Sequence, residues 1–218
     1  MEKHIEFDNS NLHERVYLYL RDKIMQNQLP PGSRISYERL REELGVSKTP
    51  LRDAINRLQQ DGLVEVRPRS GTYVNTPKVH DIIEIYDVRK SLERTAVQLA
   101  APMIPKEVLE SLLDEAEEAE EEIQKGNRER FFIADRNLHQ TIIKYSGNKR
   151  LITFMDTLEV QIRWFGIIIA KNFDRPTQAN DMHKKILQAM YQLDIPQAQR
   201  LMEEHIEEIK LYTVADYS

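Results

Sequence analysis

Hydrophobic positions recur every three or four residues over most of the chain, a pattern that predicts helices. In the first segment this stripe comprises Leu12, Val16, Leu20 and Ile24. Ser10 is the predicted N-cap of that helix, and the breaker sequence Leu29-Pro30-Pro31-Gly32 ends it. A second, shorter helix is predicted near Tyr37–Leu44, where Leu40 and Leu44 lie one turn apart. Two helices in close succession therefore open the chain.

A third helix and a hairpin complete the first segment. Ser47 is the predicted N-cap of the third helix, and Pro50 lies in its first turn, where the missing N–H is harmless. Two strands are then predicted at Leu63–Val66 and Thr72–Asn75, joined by the basic turn Arg67-Pro68-Arg69-Ser70-Gly71. Three helices followed by a hairpin, with a short turn between the second and third helices, predict a winged helix-turn-helix.

Beyond Thr76-Pro77 the chain is predicted to be helical throughout. Prolines, glycines and asparagines separate six predicted helices, near 78–101, 105–125, 127–146, 148–172, 176–192 and 196–213. Their short connections imply an antiparallel bundle. The predicted fold is therefore mainly α. It has a winged helix-turn-helix domain over residues 1–76, a linker at 77–81 and an all-helical bundle of about six helices over 82–218.

Composition narrows the classes of function that remain. Cysteine is absent, which excludes a disulfide scaffold and any thiolate nucleophile or thiolate metal site. No apolar run approaches the roughly 20 residues needed to span a bilayer, and the first residues do not begin a signal peptide. A cytoplasmic protein with no membrane partner is therefore expected.

The net charge of -5 would, taken alone, argue against a polyanionic partner. The charge is unevenly distributed, however. Residues 10–76 hold 11 Lys and Arg against 8 Asp and Glu, whereas residues 77–218 hold 19 against 25. A basic segment thus coincides with the predicted winged helix-turn-helix.

The outer face of the third helix offers side chains suited to DNA. A recognition helix reads bases mainly through residues near its N-terminus. Arg and Lys suit guanine acceptors, while Ser and Thr suit phosphates and other base edges. Arg67 and Arg69 in the wing turn are placed to reach the backbone or the minor groove. The alternative is a small helical domain with ordinary surface cations. With the apolar stripe turned inward, the outward residues are Lys48, Thr49, Arg52 and Asn56.

The residues of this segment also resemble a known family. The stretch from Tyr37 to Ala54, followed by Asp61-Gly62-Leu63 and Arg69-Ser70-Gly71-Thr72-Tyr73-Val74, resembles the DNA-binding domain of GntR-type bacterial regulators. Family contacts to DNA come from the second helix, the start of the recognition helix and the wing tip. The resemblance implies contacts from Arg39, Ser47, Lys48, Thr49, Arg52 and Gly71. Many members have Arg in place of Lys48. Arg69 is added from its position in the wing alone.

Four residues of the bundle are candidates for a metal site. Asp135 and His139 are four apart on one predicted helix and so share a face. His183 and His205 are each 11 residues from Asp194, the centre of the last helical hairpin, which places them at about the same height on facing helices. Imidazoles and a carboxylate suit Zn, Ni, Mn or Fe. The alternative is that each histidine serves a polar network on its own helix.

The bundle, too, resembles a known domain. It is similar over roughly residues 80–213 to the FCD effector domain of the FadR-type GntR subgroup. The matching residues are Asp87-Val88-Arg89-Lys90-Ser91-Leu92-Glu93, Asp135-Arg136-Asn137-Leu138-His139, Ser146-Gly147-Asn148, His183 and His205. The resemblance implies a divalent metal held by Asp135, His139, His183 and His205, with a small carboxylate effector coordinated to it.

An anionic effector also calls for a cation. Arg89 matches a recurrent arginine of the family, and Arg163, beside Trp164, is a second candidate for an effector contact. The alternative for both is an interhelical ion pair, for which Glu93 and Glu159 are available.

The sequence as a whole predicts a ligand-responsive transcriptional regulator, expected to be a repressor and not an enzyme. A symmetric homodimer is expected to read a palindromic operator in double-stranded DNA. A small organic acid bound at the metal is expected to modulate that binding. Two alternatives stay open: a metal sensor in which the ion is the signal, and a metalloenzyme fused to a DNA-binding module. The second has little support, because no HExxH motif is present.

Overall fold

The computed structural model describes residues 12–169 and 175–217, with the backbone alone for 167–169. The predicted N-cap Ser10 and residues 170–172 of a predicted helix lie outside the described residues. The described part is 76% helical, with nine helices and a three-stranded sheet, which confirms the mainly α class. It divides into two compact units. One holds the residues up to Lys78 together with Val160–Ile168, and the other holds Val79–Glu159 and the residues from Ile169 onward.

The N-terminal unit contains three helices and a small antiparallel sheet. The strands lie in the order β1-β3-β2, with Arg34 opposite Tyr73 and Arg67 opposite Gly71. Strand β1 is absent from the predicted elements, because two residues after a Pro-Pro-Gly turn are too few to show an alternating pattern. In chain order the elements are α1 (Leu12–Met25), β1 (Arg34–Ile35), α2 (Tyr37–Leu44), α3 (Lys48–Gln60), β2 (Val64–Arg67) and β3 (Gly71–Val74).

Helix α1 packs against α3 and fixes which face of α3 points outward. The contact buries Val16, Leu20 and Ile24 of α1 and Leu51, Ile55 and Leu58 of α3. Burying an aliphatic side chain of this size contributes about 1.5–3 kcal/mol relative to leaving it exposed. The positions between these apolar residues, including Lys48, Thr49 and Arg52, are exposed.

The turn between α2 and α3 depends on a glycine and leaves a serine hydroxyl uncommitted. Gly45 ends α2 with φ +64°, and its N–H donates to the carbonyl of Arg41. Ser47 occupies the N-cap position of α3, as predicted, but its hydroxyl makes no capping hydrogen bond. One of the two usual N–H partners is missing, because the third helical residue is Pro50. The Ser47 hydroxyl is therefore available to another acceptor or donor.

The C-terminal unit is an antiparallel bundle. Its helices are α4 (Val79–Ala100), α5 (Lys106–Gln124), α6 (Glu129–Tyr145), α8 (Arg175–Tyr191) and α9 (Ile195–Tyr217), together with the first half of α7 (Lys149–Ile169). Residues Val160–Ile168 of α7 are grouped with the N-terminal unit. Helix α4 begins inside the segment 77–81 that the sequence analysis assigns to a linker, and the domain boundaries at 76 and 82 stay predictions. The opposite direction of α4 and α9 is visible in their ion pairs, Asp87–Lys210, Lys90–Glu207 and Arg94–Glu203.

Four helices of this unit contact one another in a closed ring: α4 with α6, α6 with α8, α8 with α9, and α9 with α4. Their facing sides bury Val97, Ile142, Ile186 and Met202. Polar residues buried on these same four helices form the candidate site described next. Among the described residues, no helix is both long and apolar enough to cross a membrane.

Candidate metal centre and nucleic-acid interface

The four predicted metal ligands come together inside the helix ring. Asp135 and His139 project from one face of α6, His183 from α8 and His205 from α9. The three histidines are buried, with 6%, 1% and 1% of their surface exposed, while Asp135 is half-buried. One potential ligand atom from each residue lies within 4.8 Å of those of the other three. The structure thus gathers residues from three helices into one cluster, called here the His3Asp cluster.

Distances within the His3Asp cluster are compatible with ligands that face a common point. His183 Nε2 lies 3.1 Å from His205 Nε2. The Oδ1 atom of Asp135 lies 3.5 Å from His183 Nε2 and 3.8 Å from His139 Nε2. The His183–His205 distance fits the expectation that the last hairpin holds these rings at one height. The set offers nitrogen and oxygen ligands, which suit Zn, Ni, Mn or Fe.

Burial favours the neutral form of two rings of this cluster, those of His183 and His205. Burial lowers the pKa of His183 to about 4, despite the opposing charge of Asp135. Burial, followed by the proximity of His183, holds the pKa of His205 well below its ordinary value. Two buried ring nitrogens, His139 Nε2 and His205 Nδ1, have no hydrogen-bond partner among the described residues. Unpartnered buried polar atoms destabilise a core, and a bound ligand relieves that cost.

A further carboxylate, Glu93 of α4, connects the cluster to Arg89. The Nε atom of Arg89 donates to Glu93 Oε1 at 2.6 Å, and Glu93 Oε2 forms a hydrogen bond with His139 Nδ1. Burial alone would raise the pKa of Glu93, but His139 and Arg89 lower it to about 2. Burial likewise opposes the charge on Arg89, and Glu93 overcomes this and raises the Arg89 pKa. Both side chains are buried, so the charges must compensate each other.

The two arginines predicted to contact an effector, Arg89 and Arg163, differ in location and burial. Arg89 is paired with Glu93, one of the two carboxylates considered for it, although the pair lies within α4 and not between helices. Arg163 is exposed on α7, in the segment grouped with the N-terminal unit. Glu159, the other carboxylate considered, accepts hydrogen bonds from Gln140. Effector contacts by either arginine stay predictions.

The predicted DNA-reading residues form an exposed surface on the N-terminal unit. Ser47, Lys48, Thr49 and Arg52 follow one another along the first turns of α3, and all are exposed. Arg52 has only a 3.8 Å contact with its neighbour Asp53, and 64% of its side chain is accessible. Arg39, on α2, is exposed as well. Cations near the start of an exposed helix are placed to enter a major groove.

Ion pairing separates the cations of this unit into two groups. Several are neutralised within the protein: Lys23 by Glu43, Arg57 by Glu14 and Arg67 by Glu65. Within the described part of the chain, the charged groups of Arg34, Arg39, Lys48 and Arg69 make no hydrogen bond and no ion pair. Three of these four belong to the predicted DNA-reading set, so that set retains positive charge for a polyanion.

The wing turn is shaped by two residues with positive φ and by an arginine that the sequence analysis does not single out. Arg69 has φ +62° and Gly71 has φ +133°. A Cβ atom added to Gly71 would lie 3.1 Å from Arg34 Nε, so β1 brings Arg34 against the wing. The pairing of β1 with β3 creates this contact, and a prediction of β1 would have been needed to find it.

Together these features define a class: a DNA-binding regulator with a winged helix-turn-helix and a separate helical domain. Comparison with known families agrees. The model for bacterial regulatory proteins of the gntR family matches residues 12–74, and the FCD domain model matches residues 84–208. The chain belongs to the GntR family, in the FadR-type subgroup that carries an FCD domain. It is a DNA-binding transcriptional regulator of this type.

Individual proteins and solved structures are similar to this chain. The HTH-type transcriptional repressor RspR of Escherichia coli strain K12 is 23% identical over 198 residues, covering 91% of this chain and 87% of that protein. The E. coli McbR/YncC structure matches with a TM-score of 0.76 at 23% identity, over 95% of this chain and 99% of that one. The metal-free FCD domain of TM0439 matches with a TM-score of 0.56 at 19% identity, over 65% of this chain and 97% of that domain. These structural likenesses show the fold.

Proposed function

We propose that this protein is a repressor whose FCD bundle holds one divalent metal ion and binds a small carboxylate effector that changes its affinity for operator DNA. The observation that carries the proposal is the His3Asp cluster, in which three buried histidines and Asp135 bring their ligand atoms within 4.8 Å of one another. The repressor RspR and the metal-free FCD domain of TM0439, both similar to this chain, support repression and a metal respectively.

The four side chains of the His3Asp cluster fit a divalent metal ion. Asp135, His139, His183 and His205 would hold the ion with three nitrogens and one oxygen. Bound there, the metal supplies a Lewis-acidic position for an oxygen of the effector. The side chain of Asp135 is 35% exposed, whereas those of His139 and His183 are 7% and 2% exposed. Asp135 is therefore the ligand nearest to solvent, and a small anion is expected to reach the cluster beside it.

DNA binding is assigned to the unpaired cations and the uncommitted hydroxyl of the N-terminal unit. Arg39, Ser47, Lys48, Thr49, Arg52, Arg69 and Gly71 are proposed to contact DNA, with α3 in the major groove and the wing against the backbone. Two copies related by a two-fold axis would read a palindromic operator. An effector shifts this binding only as far as its affinity differs between the DNA-competent and DNA-incompetent states.

Metal analysis of the purified protein, paired with a DNA-binding assay, tests the proposal. We expect about one divalent ion per chain, lost on dialysis against a chelator. The metal-loaded protein should show thermal shifts with members of a panel of small organic acids, and those acids should change its affinity for a duplex enriched from a random pool. A wild-type chain that binds no Zn²⁺, Ni²⁺ or Mn²⁺ at micromolar concentration would rule out the metal centre.

The same assay separates the proposal from a metal sensor. Apo protein is titrated with Zn²⁺ in the absence of any organic acid, and duplex binding is measured. We expect Zn²⁺ alone to leave duplex affinity within about twofold, with the larger change on adding the acid. A switch driven by metal alone would establish the ion as the signal.

A further inference from the structure

Glu93 uses both of its oxygens inside the bundle, although it is not one of the four predicted ligands. Its Oε1 atom accepts from Arg89 Nε at 2.6 Å and its Oε2 atom is hydrogen-bonded to His139 Nδ1. The side chain of Glu93 is 1% exposed, so water does not compete for these two contacts. Three residues, Arg89, Glu93 and His139, therefore form one continuous chain of hydrogen bonds, called here the Arg89–Glu93–His139 relay.

The direction of this relay determines which nitrogen of His139 has a free lone pair. A carboxylate only accepts hydrogen bonds, so Nδ1 of His139 must carry the proton that it shares with Glu93. In a neutral imidazole the other nitrogen, Nε2, is then an acceptor. That atom is the one that lies 3.8 Å from Asp135 Oδ1 and has no partner among the described residues.

We propose that Glu93 is a positioning residue for the metal centre: it holds His139 in the tautomer whose Nε2 lone pair faces the metal, while Arg89 fixes the orientation of Glu93. The inference rests on the metal centre proposed above and adds two residues outside its ligand set. In this proposal Arg89 acts by orienting Glu93, and this role does not depend on a contact between Arg89 and an effector. Carboxylate partners of this kind fix ligand orientation and raise ligand basicity.

The variant Glu93→Gln reverses the direction of the relay while keeping the shape of the side chain. Arg89 only donates, so the single oxygen of a glutamine at position 93 should turn toward it. The amide NH2 then faces His139 Nδ1 and requires it to accept. His139 would have to carry its proton on Nε2, where it blocks the metal. We expect Zn²⁺ affinity to fall about 10- to 100-fold.

A double variant tests the mechanism against simple damage to the core. In Arg89→Met combined with Glu93→Gln, no donor claims the amide oxygen, so the amide can turn and accept from His139 Nδ1. The tautomer suited to the metal should return, and the double variant should bind Zn²⁺ more tightly than Glu93→Gln alone. If Glu93 only filled space in the core, adding Arg89→Met would lower Zn²⁺ affinity further and would not restore it.

A matched control lies on the same helix. Glu84 contacts His80 Nε2 at 3.0 Å on the exposed face of α4, four residues apart. Glu84→Gln therefore removes a histidine–carboxylate contact without touching the bundle interior, and it should leave Zn²⁺ affinity within about twofold of wild type. Circular dichroism of all variants checks that the helices are retained.

Two readouts decide the question. Zn²⁺ affinity is measured by competition with a chromogenic chelator, and the His139 tautomer is read from 15N shifts in metal-free protein. The expected wild-type signal is a proton on Nδ1, moved to Nε2 in Glu93→Gln. Unchanged shifts and affinity in Glu93→Gln, or no recovery in the double variant, would overturn the proposal. The tautomer is measured in metal-free protein, so it tests the role of Glu93 independently of metal binding. Wild-type protein that binds no Zn²⁺ would count against the metal centre but not against the effect of Glu93 on the tautomer.

Discussion

Replacement of Arg52 by alanine is the sharpest test of the DNA-reading surface. Arg52 lies in the second turn of α3, and 64% of its side chain is exposed. Its contact with Asp53 is 3.8 Å long, and exposed pairs of this kind contribute at most about 1 kcal/mol. The substitution therefore removes a cation that the protein itself scarcely uses, and the helix and its buried face should stay intact.

The expected loss follows from the contacts that the side chain is placed to make. A bidentate arginine–guanine contact contributes about 1–3 kcal/mol of discrimination between bases. A symmetric dimer loses the contact in both half-sites, about 2–6 kcal/mol in total, which corresponds to roughly 30-fold to roughly 20,000-fold in affinity. Binding to non-specific duplex should change much less, because there each lost phosphate contact lowers only the salt-dependent term.

Fluorescence anisotropy with a duplex enriched from a random pool by wild-type protein measures this loss at several salt concentrations. Arg57→Ala is the matched control, because Arg57 lies on the same helix but is ion-paired with Glu14 and lies over the Tyr17 ring. The control should bind within about twofold of wild type. An Arg52→Ala protein that also binds within twofold, or that weakens specific and non-specific duplexes equally, would refute base reading by Arg52.

Two further substitutions probe the metal centre and the wing. His183→Ala should abolish stoichiometric Zn²⁺ binding in equilibrium dialysis and remove the stabilisation by metal, about 2.7 kcal/mol at a hundredfold excess over Kd; His80→Ala, at an exposed histidine, should do neither. Gly71→Ala should destabilise the wing by about 1–3 kcal/mol in urea unfolding and weaken DNA binding, because of its φ of +133° and the nearby Arg34 Nε. Gly166→Ala is its control: this glycine lies inside helix α7 and has no atom of the described residues within 4 Å of an added methyl group. The control should leave DNA binding unchanged and should not lower stability, because alanine is the better helix former.

Most of the fold could be predicted because it depends on local periodicity. The six bundle helices lie within about four residues of their predicted bounds wherever the structure describes them, and α2 spans Tyr37–Leu44 as predicted. Strand β1 escaped prediction because its pairing with β3 is a contact between distant parts of the chain. The missing cap bond of Ser47 could have been inferred, since Pro50 stands where a capped N–H would be.

The four residues of the His3Asp cluster could be predicted from the sequence, for two separate reasons. Asp135 and His139 are neighbours on one helix turn, and the hairpin of α8 and α9 brings His183 and His205 to one height by simple counting. Glu93 has no such local signal, because it lies 46 residues from His139 along the chain. Only the packing of α4 against α6 reveals that it meets His139.

The geometry of the His3Asp cluster also helps to decide whether the metal ion or the carboxylate effector is the signal. The rings of His139, His183 and His205 lie deep in the bundle, and His139 Nε2 has no hydrogen-bond partner among the described residues. An unpaired buried polar group costs about 1–3 kcal/mol, so an ion bound at His139 Nε2 should be retained. A retained ion is a poor reporter of its own concentration. Asp135 is the partly exposed member, which favours a resident metal that presents one open side to a carboxylate, and that carboxylate as the signal.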